Sequence, residues 1–142
     1  MPTKTKKKIV VDFKERDNFM LEKTNLLYEK EEKVRANDYD IFGFEGLEFQ
    51  DAKTCVQKGW LDLNEAQNDS PTVGKIIEFL RSNPSFSAIG YVVNSERKDT
   101  RISFEGVIAI KEPTPKEYKA YVDMFRTADE FDNEMPFRAW YD

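Results

Sequence analysis

The 142-residue sequence predicts an α+β fold, a largely antiparallel sheet with helices packed on one face. Three observations carry that prediction. Short β-branched and aromatic runs come in neighbouring pairs joined by polar turns, the pattern of hairpins rather than of βαβ units. Between them lie segments whose apolar residues recur at helical spacing behind helix-start signals. Hydrophobic residues make up 39 % of the chain, enough for one core that offsets chain entropy despite 35 % charge. No repeat or linker divides the sequence, so residues 9–142 read as one domain behind a basic flexible arm over residues 1–8.

Ile9-Val10-Val11-Asp12-Phe13 is β-branched and reads as the first strand. From Lys14 to Ala36 the texture becomes helical. Phe19, Met20, Leu26, Leu27 and Val34 fall at helical spacing, and Glu29–Lys33 and Glu31–Arg35 pair one turn apart. Tyr39 to Phe49 alternates aromatic or aliphatic residues with Gly and acids, which predicts a hairpin turning at Glu45-Gly46. Asp51 is placed to cap a short helix through Lys58, closed by Gly59, with Cys55 and Val56 facing inward. Trp60 to Leu63 follows as an extended segment.

Ser70 fits a helix N-cap and Pro71 the first helical position, ahead of a stripe of Val73, Ile76, Ile77 and Leu80. Asn83-Pro84 ends that helix, because the residue before proline avoids the α region. Phe86–Asn94 and Arg101–Lys111 are the strongest strands, joined by a polar connection and paired antiparallel. Ile102, Phe104, Ile108 and Ile110 share a face by simple alternation, and Gly106 among them marks a bulge or a close backbone approach. Thr114-Pro115-Lys116-Glu117 is a capping box that opens a helix carrying Tyr118, Tyr121, Val122 and Phe125. In the acidic–aromatic tail, residues 128–142, the last five or six residues complete the sheet as a terminal strand.

Function is bounded first by an absence. The chain has no histidine, which removes the commonest general base, the commonest zinc ligand and every Ser-His-Asp or Cys-His arrangement. Lys, Tyr and carboxylate chemistry stays open, but the sequence reads as a non-enzyme. It carries no GxGxxG, phosphate loop, EF-hand or nucleophile elbow, so neither a cofactor nor a metal is expected. The run Val107-Ile108-Ala109-Ile110 is far shorter than the roughly 20 residues of a membrane span. The basic N-terminus lacks the apolar stretch of a signal peptide, and the lone Cys55 has no disulfide partner. A cytoplasmic setting without a membrane partner is the expectation.

Five features compete for a functional role. Lys4, Lys6, Lys7 and Lys8 form a small phosphate-binding footprint, but no aromatic is interleaved to stack bases, and a solvated terminus is the plainer reading. Ser70, Thr72, Arg97, Lys98 and Arg101 form an anion-binding set if the helix start and the hairpin tip meet; a charged tip that discourages edge pairing is the plainer reading. Asp38, Asp40, Glu45, Glu48 and Asp51 are a weak metal or acid–base cluster, more simply an exposed strand face. Cys55 reads as a small core residue.

The tail weighs most. Asp129, Glu130, Asp132 and Glu134 beside Phe131, Met135, Phe137 and Trp140 have the composition of a segment that docks on a basic, apolar-grooved protein partner. Completion of the chain's own sheet or core by Phe137, Trp140 and Tyr141 is the slightly plainer reading. The net charge of −5 favours a basic partner. The expectation is therefore an intracellular binding or regulatory protein, an inhibitor or adaptor of a basic partner. The alternatives are a nucleic-acid-associated factor using the Lys4–Lys8 arm with Arg97 and Arg101, and an enzyme acting on a small anionic substrate without histidine.

Overall fold

The computed structural model describes residues 10–26 and 41–142. Asp12, not a strand, sets the first element. Its side chain accepts from Glu15 N–H at 3.0 Å and caps α1, Phe13–Lys23. The expected first strand is thus corrected over residues 10–13: the local cap outweighs the β-branched run. The helix also ends earlier than Ala36. Thr24 turns extended, and Asn25–Leu26 (β1) joins the sheet; the rest of the expected helix, residues 27–36, and Ile9 lie outside the described residues.

Ile41–Leu47 is one strand, β2, rather than a hairpin. Gly46 does adopt the left-handed φ of +84° that a turn would use. Here it makes a bulge: Phe44 pairs with Gly90 and Leu47 with Ala88, so β2 holds one residue more than its neighbour. Next comes α2, Phe49–Gln57, starting two residues before the expected Asp51; Gly59 at φ +76° lies just beyond its Lys58 C-cap. Trp60 and Leu61 are buried in the core, and the segment expected to run extended to Leu63 turns there, leaving Leu63 exposed.

The third helix, α3 (Val73–Ser82), is capped by Thr72, whose Oγ1 accepts from Lys75 N–H at 3.2 Å. The expected cap, Ser70, instead accepts from Gln67 N–H and donates to the Pro71 carbonyl, shaping the loop before the helix. Asn83 ends α3 as anticipated. Phe86–Val93 (β3) and Arg101–Ala109 (β4) form the antiparallel centre of the sheet. The capping box at Thr114 is present in full and opens α4, Pro115–Phe125. Two short strands, Glu130–Phe131 (β5) and Arg138–Trp140 (β6), bring the tail back to β4.

The sheet runs β1-β2-β3-β4-β6-β5 with every pairing antiparallel. Met20 of α1, Cys55 of α2, Ile76 and Leu80 of α3 and Tyr121 and Phe125 of α4 share one buried cluster with Phe42, Phe44, Val92 and Phe104 of the sheet. All four helices therefore pack on the same face, as the sequence predicts.

A second bulge determines what the other face carries. Gly90 pairs with Phe104 and Ile89 with Gly106, leaving Glu105 as the extra residue of β4. The bulge shifts the alternation by one. Val107 and Ala109 join the core, whereas Ile110 is 45 % exposed, so the expected shared face of Ile102 through Ile110 is corrected beyond Phe104. Gly106 marks a bulge and a close approach together, since a Cβ there would lie 1.8 Å from the Ala139 carbonyl oxygen.

Candidate functional site

The anion-binding residues proposed from sequence converge only in part. Arg97 forms a two-pronged pair with Asp99 at 2.8 and 2.9 Å, and Arg101 donates to the Asp99 carbonyl at 2.9 Å. Lys98 is exposed at the hairpin tip. The hairpin thus supplies its own counter-charge, and the Arg97 contact holds the Asp99 carboxyl below its usual range. The α3 start offers an anion little. Val73 N–H is taken by the Glu65 carbonyl at 2.8 Å, Gly74 N–H by the Leu63 carbonyl at 2.9 Å, and Lys75 N–H by Thr72. Ser70 and Thr72 are spent on this loop and cap. From the hairpin, Arg101 reaches the loop before α3, where its Nε lies 3.6 Å from Glu65 Oε1.

Arg101 belongs to a different cluster, one that strand alternation and the bulge assemble. Arg101, Ser103 and Glu105 follow one another on the face of β4 away from the main core. Ser103 donates to Glu105 Oε1 at 3.2 Å, and the Glu105 main-chain carbonyl accepts from Tyr141 N–H. Glu65 is steadied by Gln67 Nε2 at 2.8 Å, while Trp140 Nε1 donates to Asp142 Oδ1 at 2.8 Å. Among the described residues, two buried side-chain atoms make no hydrogen bond: Arg101 Nε and Glu105 Oε2. Both lie in this cluster.

Burial pushes the Glu105 carboxyl up, as do Asp142 and Glu65; Ser103 and Arg101 pull it only partly back. A carboxyl raised on folding binds protons more readily in the native state, so it weakens the fold as pH climbs from its ordinary 4.5 through the raised value. Glu105→Gln is therefore expected to unfold at higher denaturant than wild type at neutral pH, by on the order of 1 kcal/mol, the scale of an unsatisfied buried group. The advantage should shrink as pH falls towards 4.5 and stay constant below it. Urea titrations at stepped pH measure it; a constant difference across the range would show that Glu105 ionisation plays no part.

A cavity of about 290 Å³ opens beside the cluster, lined by Arg16, Arg101, Glu65, Phe13, Trp60 and Leu61 among others. Arg16 is only 2 % exposed. Its Nε pairs with Asp17 at 2.8 Å, its Nη2 donates to the Val93 carbonyl at 2.9 Å, and its guanidinium stacks 4.8 Å from the Phe13 ring. Sequence reasoning missed Arg16 and Glu105. A lone acid within the apolar strand Ile102–Ile110 was the available signal for Glu105; nothing local marks Arg16 among the other charges of its helix.

The Lys4–Lys8 arm, Asp38 and Asp40 lie outside the described residues. Among the described residues no group of three or more Cys, Asp or Glu is arranged to hold a metal ion, and no helix is long and apolar enough to cross a membrane. Cys55 is fully buried, and that burial together with Asp51 pushes its thiol up to about 12, far from a reactive thiolate.

In the tail, three of the four expected anchors pack within this chain. Phe131 stacks on Tyr121 at 4.9 Å, Phe137 meets Tyr118 edge-on at 5.7 Å, and Trp140 is buried against Tyr91 at 5.2 Å. Met135 is the fourth, 53 % exposed. It sits in the turn between β5 and β6, which is closed by Asp132 N–H to the Arg138 carbonyl and Phe137 N–H to the Glu134 carbonyl. Ala109 N–H donates to the Pro136 carbonyl at 3.0 Å, which brings exposed Ile110 to the same end of the sheet. Comparison with protein-family models, curated proteins and solved structures gives no match.

Proposed function

We propose that this chain is a small cytoplasmic binding or regulatory protein, not an enzyme, which acts by covering a basic, partly apolar patch on a protein partner. The observation that carries the reading is the β5–β6 turn. It holds exposed Asp132 and Glu134 beside Met135, with Ile110 at the same sheet end. An apolar centre with an acidic rim is what a basic partner recognises: contact area at the methionine, steering and register from the carboxylates. The turn is also preorganised. The Tyr121 hydroxyl donates to the Asp132 carbonyl at 2.7 Å, fixing the loop on α4 and lowering the entropy lost on docking. The acids outside the turn add to the same field, within a net charge of −5.

The test is capture of a partner from nuclease-treated native lysate by the tagged full chain, wild type against Asp132→Lys/Glu134→Lys and against Met135→Asp. Each variant is expected to retain at least about tenfold less partner while shifting folding stability by no more than about 0.5 kcal/mol, since the changed side chains are exposed. Retention should also weaken with added salt. Equal retention by wild type and both variants would remove the turn from the interface. Material that vanishes on nuclease treatment would move the assignment to nucleic acid and the Lys4–Lys8 arm.

A further inference from the structure

The tail docks against a buried acid. Tyr141 N–H donates to the Glu105 carbonyl at 2.8 Å, and Trp140 pairs with Gly106, the next residue of β4. Trp140 and Tyr141 are both buried, and Glu105 is only 4 % exposed. The Glu105 side chain is poorly supplied with donors. Its Oε1 accepts from Ser103 at 3.2 Å, while Oε2 has no donor and is closed to solvent. An ionised carboxyl needs donors on both oxygens once water is gone, so the docked tail makes ionisation of Glu105 costly.

The surrounding charges add to that cost. Asp142 on the tail and Glu65 on the loop before α3 repel an ionised Glu105, and Arg101 attracts it from two residues away on β4. Arg101 is already engaged: it donates to the Asp99 carbonyl at 2.9 Å, and its Nε lies 3.6 Å from Glu65. On the flanking strands, β3 sets Tyr91 opposite Ser103 with its ring against Trp140, and β6 carries Arg138, paired with Glu130 at 2.6 Å. Asp142 travels with the tail, because Trp140 Nε1 donates to its Oδ1 at 2.8 Å. Lifting β6 therefore removes a repelling carboxylate and admits water to Glu105 in one movement.

We propose that Glu105 is a pH-sensitive latch for the tail: neutral, it lets β6 and Tyr141 stay paired on β4, and charged, it drives them off. The released state has a solvated carboxyl with its ordinary value of 4.5, and the docked state a raised one. The docking equilibrium therefore falls by about tenfold for each pH unit above 4.5, until the raised value is passed. The latch belongs to the free chain and does not rest on a protein partner.

Native-state hydrogen exchange of the full chain, resolved by NMR and stepped upward from pH 4.5, tests it, with rates corrected for base catalysis of exchange itself. The probes are the Tyr141 amide and the Trp140 indole N–H, whose acceptors are Glu105 and Asp142. Their protection is expected to fall by up to about tenfold per pH unit. The opening should be one that dilute urea does not promote, and the β3 and β4 amides should stay better protected throughout. In Glu105→Gln, uncharged at every pH, the same two protons should keep constant protection. Constant protection in the wild type overturns the proposal, as does an equal loss in Glu105→Gln. Exchange at the rate of the β3 and β4 amides at every pH overturns it too, since the tail would then open only with the whole domain. The wild-type series decides the matter even if the variant fails to fold.

Discussion

Tyr121→Ala is expected to cost about 3–5 kcal/mol of folding free energy, the scale of deleting a fully buried aromatic ring. Tyr121 is completely buried and lies between two rings, Phe86 of β3 at 5.0 Å and Phe131 of β5 at 4.9 Å, each within 17° of parallel. Phe137 meets its edge at 6.2 Å. One side chain thus joins the sheet, α4 and the returning tail. Domains of this size hold a total of roughly 5–15 kcal/mol, so the variant should be marginal or unfolded at physiological temperature. Guanidinium titration measures the loss, and Tyr121→Phe separates the ring from its hydroxyl. The phenylalanine variant keeps the stack and gives up only the hydrogen bond to the Asp132 carbonyl, a change of about 1 kcal/mol. If alanine cost no more than phenylalanine, the stack would not be what holds the tail down.

The same residue shows what a sequence makes legible. Tyr121 was placed on the buried stripe of its helix because the Thr114–Glu117 capping box and the three- and four-residue spacing are local signals, complete within one segment. The central hairpin of β3 and β4 was visible for the same reason, two apolar runs around a polar tip. What failed was non-local. An alternating strand looks the same with or without a bulge, and only the neighbour's register shows that Glu105 or the Glu45-Gly46 step is extra. Composition likewise described the tail as acidic and aromatic without saying which rings face inward; Trp140 turns in and Met135 out because β6 pairs with β4. The Arg101, Glu65 and Arg16 grouping draws on a helix, a loop and a strand far apart in the chain, so no spacing rule announces it. At Asp12 two local signals conflicted, and the cap prevailed over the β-branched run.

Gly90→Ala is the second large effect, and its sign is what makes it informative. At an unconstrained position this change stabilises by about 0.4–1 kcal/mol, because alanine narrows the unfolded ensemble. Gly90 is not such a position. A Cβ there would lie 1.8 Å from the Ser103 carbonyl oxygen and 2.8 Å from its carbon, and both atoms are backbone of the central partner strand. No rotamer relieves that overlap; β3 and β4 must separate where the β4 bulge and the β2 bulge flank the same stretch of β3. The loss is expected to reach at least about 3 kcal/mol, the upper end of overpacking costs, because strand pairing is broken along with the packing. Gly106→Ala meets the Ala139 carbonyl at the same 1.8 Å, but β6 is short and lies nearer the sheet edge. Its penalty should be smaller and confined to the tail. Native-state hydrogen exchange separates the two. Gly90→Ala should speed exchange across β2, β3 and β4 together, whereas Gly106→Ala should speed it in β6 and leave the centre protected. A neutral or stabilised Gly90→Ala would mean that β3 and β4 do not approach as closely as the bulge register requires, and the placement of Glu105 on the second face would fall with it.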